Sequence, residues 1–447
     1  MRIEQLTLKN FCSFGDLKIS FPESNLAVFI GNNGAGKTTI LKSLALSLSW
    51  LVARIKRERG SGSPIEDLDI LNGTNATQIS LAVKEQDKTF QWTLAKTAEG
   101  KKSKYESALT ESSKLADIYR TQFTENNESS FPLIIYYPVE RTVLDVPLKI
   151  KTRHKFEQLD GYDNALSQKS VDFQRFFEWF RDREDAENET KNNWNSEIHK
   201  YYIDNPDADL GKIFELDKGH LYKDIQLTAV RDAITLCMPS FDNLRIQRKP
   251  RLKMLVDKGG YYNTLNVLQL SQGEKSLLAL TGDIARRLAI MNPQLDNPLM
   301  GNGIVLIDEI DMHLHPQWQR EVLPALQKTF RNIQFIVTTH SPQVLSRVHK
   351  DDIFILKDNQ LYQPSSNPIG RDSSDILDEI MDITKRPDDI QKLSDDYFLL
   401  LAKNELEEAN KIRIELDKLV EDKKLDKDDP LFYRANGILA RKQLLKK

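Results

Sequence analysis

The chain has 447 residues, 40% of them hydrophobic and 29% charged, with 63 Lys+Arg against 66 Asp+Glu and a formal net charge of −3. That balance excludes global disorder and fibrous repeats, supplies apolar side chain for a large core, and excludes a uniformly basic coat for nucleic acid. Two cysteines, Cys12 and Cys237, are too few for a disulfide framework or a cysteine zinc site, and their rarity suits a reducing compartment.

The length predicts two or three structural units. The N-terminus, MRIEQLTLKNF, lacks the uninterrupted apolar core of a signal peptide. No stretch reads as approaching the ~20 apolar residues of a membrane span, so a cytoplasmic protein without a membrane contact is expected. Residues 1–8 alternate as a strand, a turn is predicted at 13–16, and LKISF resumes the alternation. LAVFI at 26–30 is a continuous apolar run, as in a strand buried on both faces. It ends in GNNGAGKTT, after which ILKSLALSLSWLVARI reads as one long helix. Residues 79–94 read as a hairpin turning at 86–88, and 133–137 as another buried strand. The polar stretch 97–130 between them reads as a mobile loop or a helix-loop excursion.

From about 150 to 240 the composition shifts. Phe173, Phe176, Phe177 and Phe180 recur at i, i+3, i+4 and i+7, one apolar helix face. A charged run, RDREDAENETKNN, follows, and then a helical stretch over 227–238. This is an inserted helical lobe without the sustained heptads of a coiled-coil arm. Residues 243–257 return to strand patterning around Pro250, with a turn at Gly259 and Gly260. Then come a helix over 277–290, a buried strand at 304–307, a helix over 318–330, and strands at 334–338 and 353–356. Beyond Gly370 the chain is almost wholly helix-like, and no internal repeat is found.

Gly31 to Thr38 matches G-x-x-x-x-G-K-[ST] at every fixed position, between a strand and a helix. Its glycines let successive N–H groups of Asn33, Gly34, Ala35, Gly36, Lys37, Thr38 and Thr39 face phosphates at the positive end of a helix. Lys37 supplies a cation for the β- and γ-phosphates of ATP, and Thr38 a hydroxyl for Mg²⁺. IVLI followed by Asp308 and Glu309 is an apolar strand ending in two acids. In that context Asp308 belongs to the Mg²⁺ shell, and Glu309 orients or deprotonates the attacking water. Leu270-Ser271-Gln272-Gly273-Glu274 opens a helix, and reads either as an anion site or as a simple N-cap. His313, His315 and His340 invite a zinc reading, which would want a third and fourth ligand at suitable spacing; it is not favoured, because the family resemblance given below accounts for all three. Trp318 and the phenylalanine stripe read as packing. Two basic segments, at Lys149, Lys151, Arg153 and Lys155 and at Arg245, Arg248, Lys249, Arg251 and Lys253, read as solvated faces or local DNA contacts.

The phosphate loop, LSQGE, the Asp308–Glu309 strand and Thr339-His340-Ser341, in that order, resemble an ABC-class ATPase head. That superfamily includes SMC proteins, RecF and the overcoming-lysogenization-defect ATPases. The run from Asp308 to Pro316, DEIDMHLHP, is similar to the last of these. The resemblance implies an α/β fold with a mixed-sheet core, an antiparallel β part and an inserted helical lobe. It also implies two heads packed head-to-tail around two ATP molecules. Ser271, Gly273 and Glu274 of one copy would then meet the γ-phosphate held by Lys37 of the other. His340 would be the switch histidine, and Glu140 and Arg141 stand where the family has a Gln-bearing loop.

The ending GRDSSDIL, then Lys385-Arg386-Pro387 and a helix with Glu407-Glu408-Ala409, is similar to the ATPase subunit of Septu and retron-associated antiphage systems. That resemblance implies an HNH-type nuclease partner, with no nuclease in this chain. The expected division is 1–150 and 243–365 for the ATPase core, 151–242 for the helical lobe, and 366–447 for a helical tail serving assembly or docking. A RecF-like repair ATPase and an ATP-clamped scaffold are the competing readings.

Overall fold

Alternating strands build the N-terminal sheet of this computed structural model, which describes residues 1–102, 104–139, 156–167, 173–205, 223–260, 263–381, 388–422 and 424–445. Strands β1 (Arg2–Phe11), β2 (Phe14–Ser20), β4 (Ala76–Glu85) and β5 (Lys88–Thr97) pair antiparallel in the order β2-β1-β4-β5. The first hairpin turns at Cys12 and Ser13, earlier than the expected 13–16, because Asn10 and Cys12 take positive φ (51° and 50°) and Phe11 already faces Phe14.

The apolar runs form the second sheet. Strands β3 (Leu26–Gly31), β6 (Leu133–Tyr137), β10 (Gly303–Ile307), β11 (Ile333–Thr338), β12 (Ile353–Lys357) and β13 (Gln360–Tyr362) lie in the order β13-β12-β3-β11-β10-β6. All pair parallel except β13, which turns back on β12 and was not legible as a strand. Every residue of β6, β10 and β11 is buried, the expected state of parallel strands covered on both faces. Helix α1 (Lys37–Lys56) packs against β3, β11, β10 and β6. It is long and apolar enough to cross a membrane, contrary to the sequence expectation. Its apolar side chains, Ile40, Leu41, Leu44, Leu48 and Leu51 among them, are instead core, because they fill the face of this sheet.

The stretch 97–130 contains helix α2 (Thr110–Glu125), which packs on α1. Helix α3 (Phe173–Asp204) carries Phe176, Phe177 and Phe180 fully buried, while the side chain of Phe173 is outside the described residues. The charged run is part of this same helix and not a break. Its Glu184 and Glu187 are buried and paired with Arg231 of α4 (Ile225–Cys237), both at 3.1 Å. A third, antiparallel sheet, β7 (Phe241–Gln247), β8 (Lys253–Lys258) and β9 (Thr264–Asn266), leads into α5 (Gln272–Met291). Two of the five basic residues at 245–253 are occupied within the chain: Arg245 pairs with Asp257 at 3.0 Å and Arg248 with Glu184 at 3.0 Å. Lys249, Arg251 and Lys253 are exposed. The other basic segment lies outside the described residues, as do Glu140 and Arg141.

Helices α6 (Pro316–Thr329) and α7 (Pro342–Leu345) complete the unit Met1–Gly370. A second compact unit, Arg371–Lys447, contains α8 (Ser373–Glu379), α9 (Asp388–Lys403), α10 (Leu406–Glu421) and α11 (Pro430–Leu445). Tyr397, Leu401, Ala409, Leu416, Leu431, Phe432 and Ala435 form its own buried core.

Candidate nucleotide site

Three parallel strands end side by side where the motifs lie. Because β11 is inserted between β3 and β10, the segment after β11 stands between the phosphate loop and the acidic pair. The carboxyl edge of such a sheet is where open α/β folds bind ligands.

The phosphate loop leaves β3 and enters α1 with Gly36 at φ 98°, as the helix N-cap. A side chain there would be strained and would also collide with the Phe14 ring, 2.4 Å from a Cβ. Asn33, Gly34 and Thr38 are exposed, Ala35 and Thr39 half-buried. Lys37 is 6% exposed, and its Nζ donates to the carbonyls of Gly31 at 2.8 Å and Asn32 at 3.1 Å. Burial lowers its pKa, against the opposing pull of Asp308, Glu309 and Asp311. The cation is thus held low over the loop, facing three acids.

Asp308 is buried. Its Oδ1 accepts from Thr338 Oγ1 at 2.5 Å, while its Oδ2 is buried with no hydrogen-bond partner. A carboxylate oxygen so placed costs free energy unless a cation or donor reaches it. Thr338 also accepts from the Glu309 N–H at 2.7 Å, which secures Glu309 at φ 48°. That left-handed backbone is uncommon for a non-glycine residue and persists where the surroundings hold it. His340 is half-buried; burial lowers its pKa, Lys37 lowers it further, and Glu309, Asp311 and Asp308 oppose the shift. Lys37, Asp308, Glu309 and His340 are therefore one electrostatic neighbourhood.

The LSQGE segment forms a second cluster. Ser271 caps α5 in a capping box: its Oγ donates to Glu274 Oε2 at 2.8 Å and accepts from the Glu274 N–H at 3.3 Å. Glu274 also pairs with Lys258 at 2.6 Å, so within this chain its carboxylate serves the cap. Gly273 packs on the loop after β10, where a Cβ would stand 2.4 Å from the His313 carbonyl oxygen. His315 is the N-cap of α6, and Trp318 packs edge-on against Phe241. His313 and His315 are exposed, and no group of three or more metal-ligating side chains occurs among the described residues.

Sequence reasoning missed Thr338, whose signal was a polar residue ending an apolar strand, and the cluster around Asp283. Asp283 is buried in α5 with Arg286 at 2.6 Å and Arg287 at 2.8 Å, and accepts from Tyr137 Oη at 3.0 Å. Burial pushes its pKa up, but the charges of Arg287 and Arg286 outweigh burial and hold it at about 2. The Tyr137 carbonyl in turn accepts from the Asp308 N–H at 2.9 Å, so the cluster reaches the acidic strand.

A phosphate loop, an acidic strand two places away in a parallel sheet, and a histidine just after the strand between them define an ABC-class P-loop ATPase. A family model described as an AAA domain matches residues 5–204. The chain is 35% identical over 434 residues to the retron Ec83 probable ATPase of Escherichia coli, covering 89% of this chain and 79% of that protein. It is 37% identical over 416 residues to the retron Vc95 probable ATPase of Vibrio cholerae, covering 87% and 80%. The chain belongs to this retron ATPase family. A shorter match, 33% identical over 35% of this chain and 22% of the relative, is to the Septu protein PtuA of Bacillus mycoides. Among solved structures, an SMC head bound to the C-winged helix domain of ScpA aligns with a TM-score of 0.44 and 17% identity, over 81% of this chain and 97% of that one.

Proposed function

We propose that the chain is the ATP-hydrolysing subunit of an antiphage defence complex, in which it assembles with and regulates an HNH-type nuclease that acts on DNA. The observation that carries the nucleotide chemistry is the buried, unpartnered Asp308 Oδ2 on the strand edge facing Lys37. An orphaned carboxylate oxygen in that place fits Mg²⁺, which Asp308 and the Thr38 hydroxyl would hold. Bound there with ATP, the metal neutralises charge on the phosphates. The loop N–H groups from Asn33 to Thr39 and the Lys37 ammonium bind and orient the phosphates. Glu309 accepts a proton from the attacking water, and His340, kept neutral by burial and by Lys37, approaches the γ-phosphate as a hydrogen-bonding group.

Ser271, exposed at a capped helix end, and Gly273 in the first turn complete the site of a second copy in a head-to-tail pair. Glu274 supports that surface by holding the cap. The four-part division, with core at 1–150 and 243–365, lobe at 151–242 and docking tail at 366–447, follows from the same reading. The protein works in the cytoplasm. DNA contact, where it occurs, falls on Lys249, Arg251 and Lys253 rather than on Arg245 and Arg248.

Two experiments test this. Ser271→Arg should bind ATP normally yet lose turnover and pairing, and a strict monomer with and without ATP in native mass measurement would count against the paired site. Co-purification with the product of the neighbouring gene tests the nuclease partner. A neighbour that is not a nuclease, or that does not co-purify, would remove that part.

A further inference from the structure

We infer that Gln319 is a positioning residue for ATP hydrolysis, the tie that makes the acidic loop after β10 and the switch segment after β11 one rigid body. The inference rests on the site assignment above. The loop after β10 carries two left-handed non-glycine residues, Glu309 at φ 48° and His313 at φ 64°. Internal turns support it, with Met312 N–H donating to the Glu309 carbonyl and Leu314 N–H to the Asp311 carbonyl, both at 3.0 Å. Such backbone stays in place only while its surroundings over-determine it.

Gln319, in the first turns of α6, supplies that from outside the loop. Its Nε2 donates to the Leu314 carbonyl at 3.0 Å and, more weakly, to the Asp311 carbonyl at 3.4 Å. Its Oε1 accepts from Ser341 Oγ at 2.8 Å. The same two segments meet again at Asp311, whose Oδ1 accepts from Thr339 Oγ1 at 2.5 Å, and Thr339 Oγ1 in turn accepts from the Ser341 N–H at 3.0 Å. These bonds close a ring through Gln319, the acidic loop, Thr339 and Ser341. His340 is the single residue between the last two. The histidine is therefore held on both sides by groups that also hold the loop bearing Glu309.

The chemistry of the ring requires an amide. Gln319 must donate toward carbonyl oxygens and accept from a hydroxyl at once, which neither a carboxylate nor an aliphatic side chain does. Its removal leaves the phosphate loop untouched, since no bond of the ring reaches residues 31–39. The consequence falls on the geometry of the chemical step rather than on nucleotide affinity.

The test measures kcat and KM for ATP hydrolysis, together with the melting temperature, for full-length Gln319→Leu, Gln319→Glu, Ser341→Ala and the Gln319→Leu/Ser341→Ala pair. Gln319→Leu should lower kcat about 10- to 100-fold while KM stays within about twofold, the signature of lost transition-state geometry. Gln319→Glu keeps the size and the acceptor but lacks the donor, and should fall in the same direction. The double variant should be no slower than the slower single one, because both substitutions open the same ring. Wild-type kcat in a folded Gln319→Glu, additive losses in the double variant, or losses that simply follow the melting temperature would overturn the inference. Glu309→Gln, assayed in parallel, reads the site assignment separately: if it turns over normally, the base is misassigned, whereas the Gln319 comparison still stands on wild-type kcat.

Discussion

The strand edge that carries the site and the helical unit Arg371–Lys447 satisfy their polar groups over different distances. At the edge, partners come from far along the chain: Thr338 bonds Asp308 across 30 residues and Tyr137 bonds Asp283 across 146. In the helical unit the side-chain hydrogen bonds among the described residues include the local pairs Gln391 with Asp395 and Arg413 with Asp417, each one helical turn apart. Its core includes a cluster around Tyr397, Leu416 and Phe432. Charge at the edge is placed by the tertiary fold, whereas the helical unit forms from amphipathic periodicity that neighbouring residues supply. Substitutions at the edge should therefore damage chemistry first, and substitutions in the helical unit should damage only that unit.

The largest effect expected is at the edge. Lys37→Ala should abolish ATP binding, because the loop loses its phosphate cation, and equilibrium nucleotide binding would show it. Glu309→Gln should keep binding and slow turnover by about 10²- to 10⁴-fold, the range of a general base. A wild-type rate would remove Glu309 from that role.

Next comes the buried cluster that supports the edge from behind. Asp283→Ala strands Arg286 and Arg287 without their carboxylate, and should cost about 3–5 kcal/mol in denaturant unfolding. In contrast, Leu416→Ala should cost about 2–5 kcal/mol within the helical unit and leave ATP binding unchanged. If Leu416→Ala weakened nucleotide binding, the contrast between the regions would fail.

Ending the chain near Gly370 sharpens the comparison further. The shortened protein should still bind ATP but lose the proposed nuclease partner or its higher assembly, read by co-purification beside a thermal melt. A well-folded truncation that kept both would show that the helical unit is not the docking element.

The smallest effect is a slope with pH. His340 has a folded pKa below its ordinary 6.5, so on acidification the unfolded chain takes up the proton first. The stability at stake is present above about 6.5 and is lost as pH falls from there through the depressed folded value. Melting temperatures across that window should fall for the native chain and fall less for His340→Gln. Asp283 adds nothing there, because its loss begins only as pH drops from 3.8 toward about 2.

Much of this was legible in advance where a few contiguous residues carry the chemistry. GNNGAGKTT lies on a strand-to-helix turn and IVLIDE on a buried strand. The stripe of Phe176, Phe177 and Phe180 is buried, as its period required. What misled was equally physical. The charged run after Phe180 was not read as helix, yet it continues α3, and its Glu184 and Glu187 are buried against an arginine 47 and 44 residues away. The stretch of α1 read as one long helix after the phosphate loop and not as a span, yet by length and composition it could cross a membrane. Arg248 looked available for DNA, but a carboxylate 64 residues earlier holds it.

By itself, then, the sequence determined the phosphate loop, the acidic strand, the capped helix at Ser271 and the helical character of the last eighty residues or so, since backbone conformation and local hydrogen bonding depend on neighbours in the chain. Only the tertiary structure decided that β11 lies between β3 and β10, bringing His340 beside Lys37 and Glu309. It also decided that Gly273 meets the His313 carbonyl, that Tyr137 caps Asp283, and that Gln319 bridges two loops. Those contacts depend on which strands cross over which, and on a register between segments far apart in the chain, and no local pattern of residues encodes either.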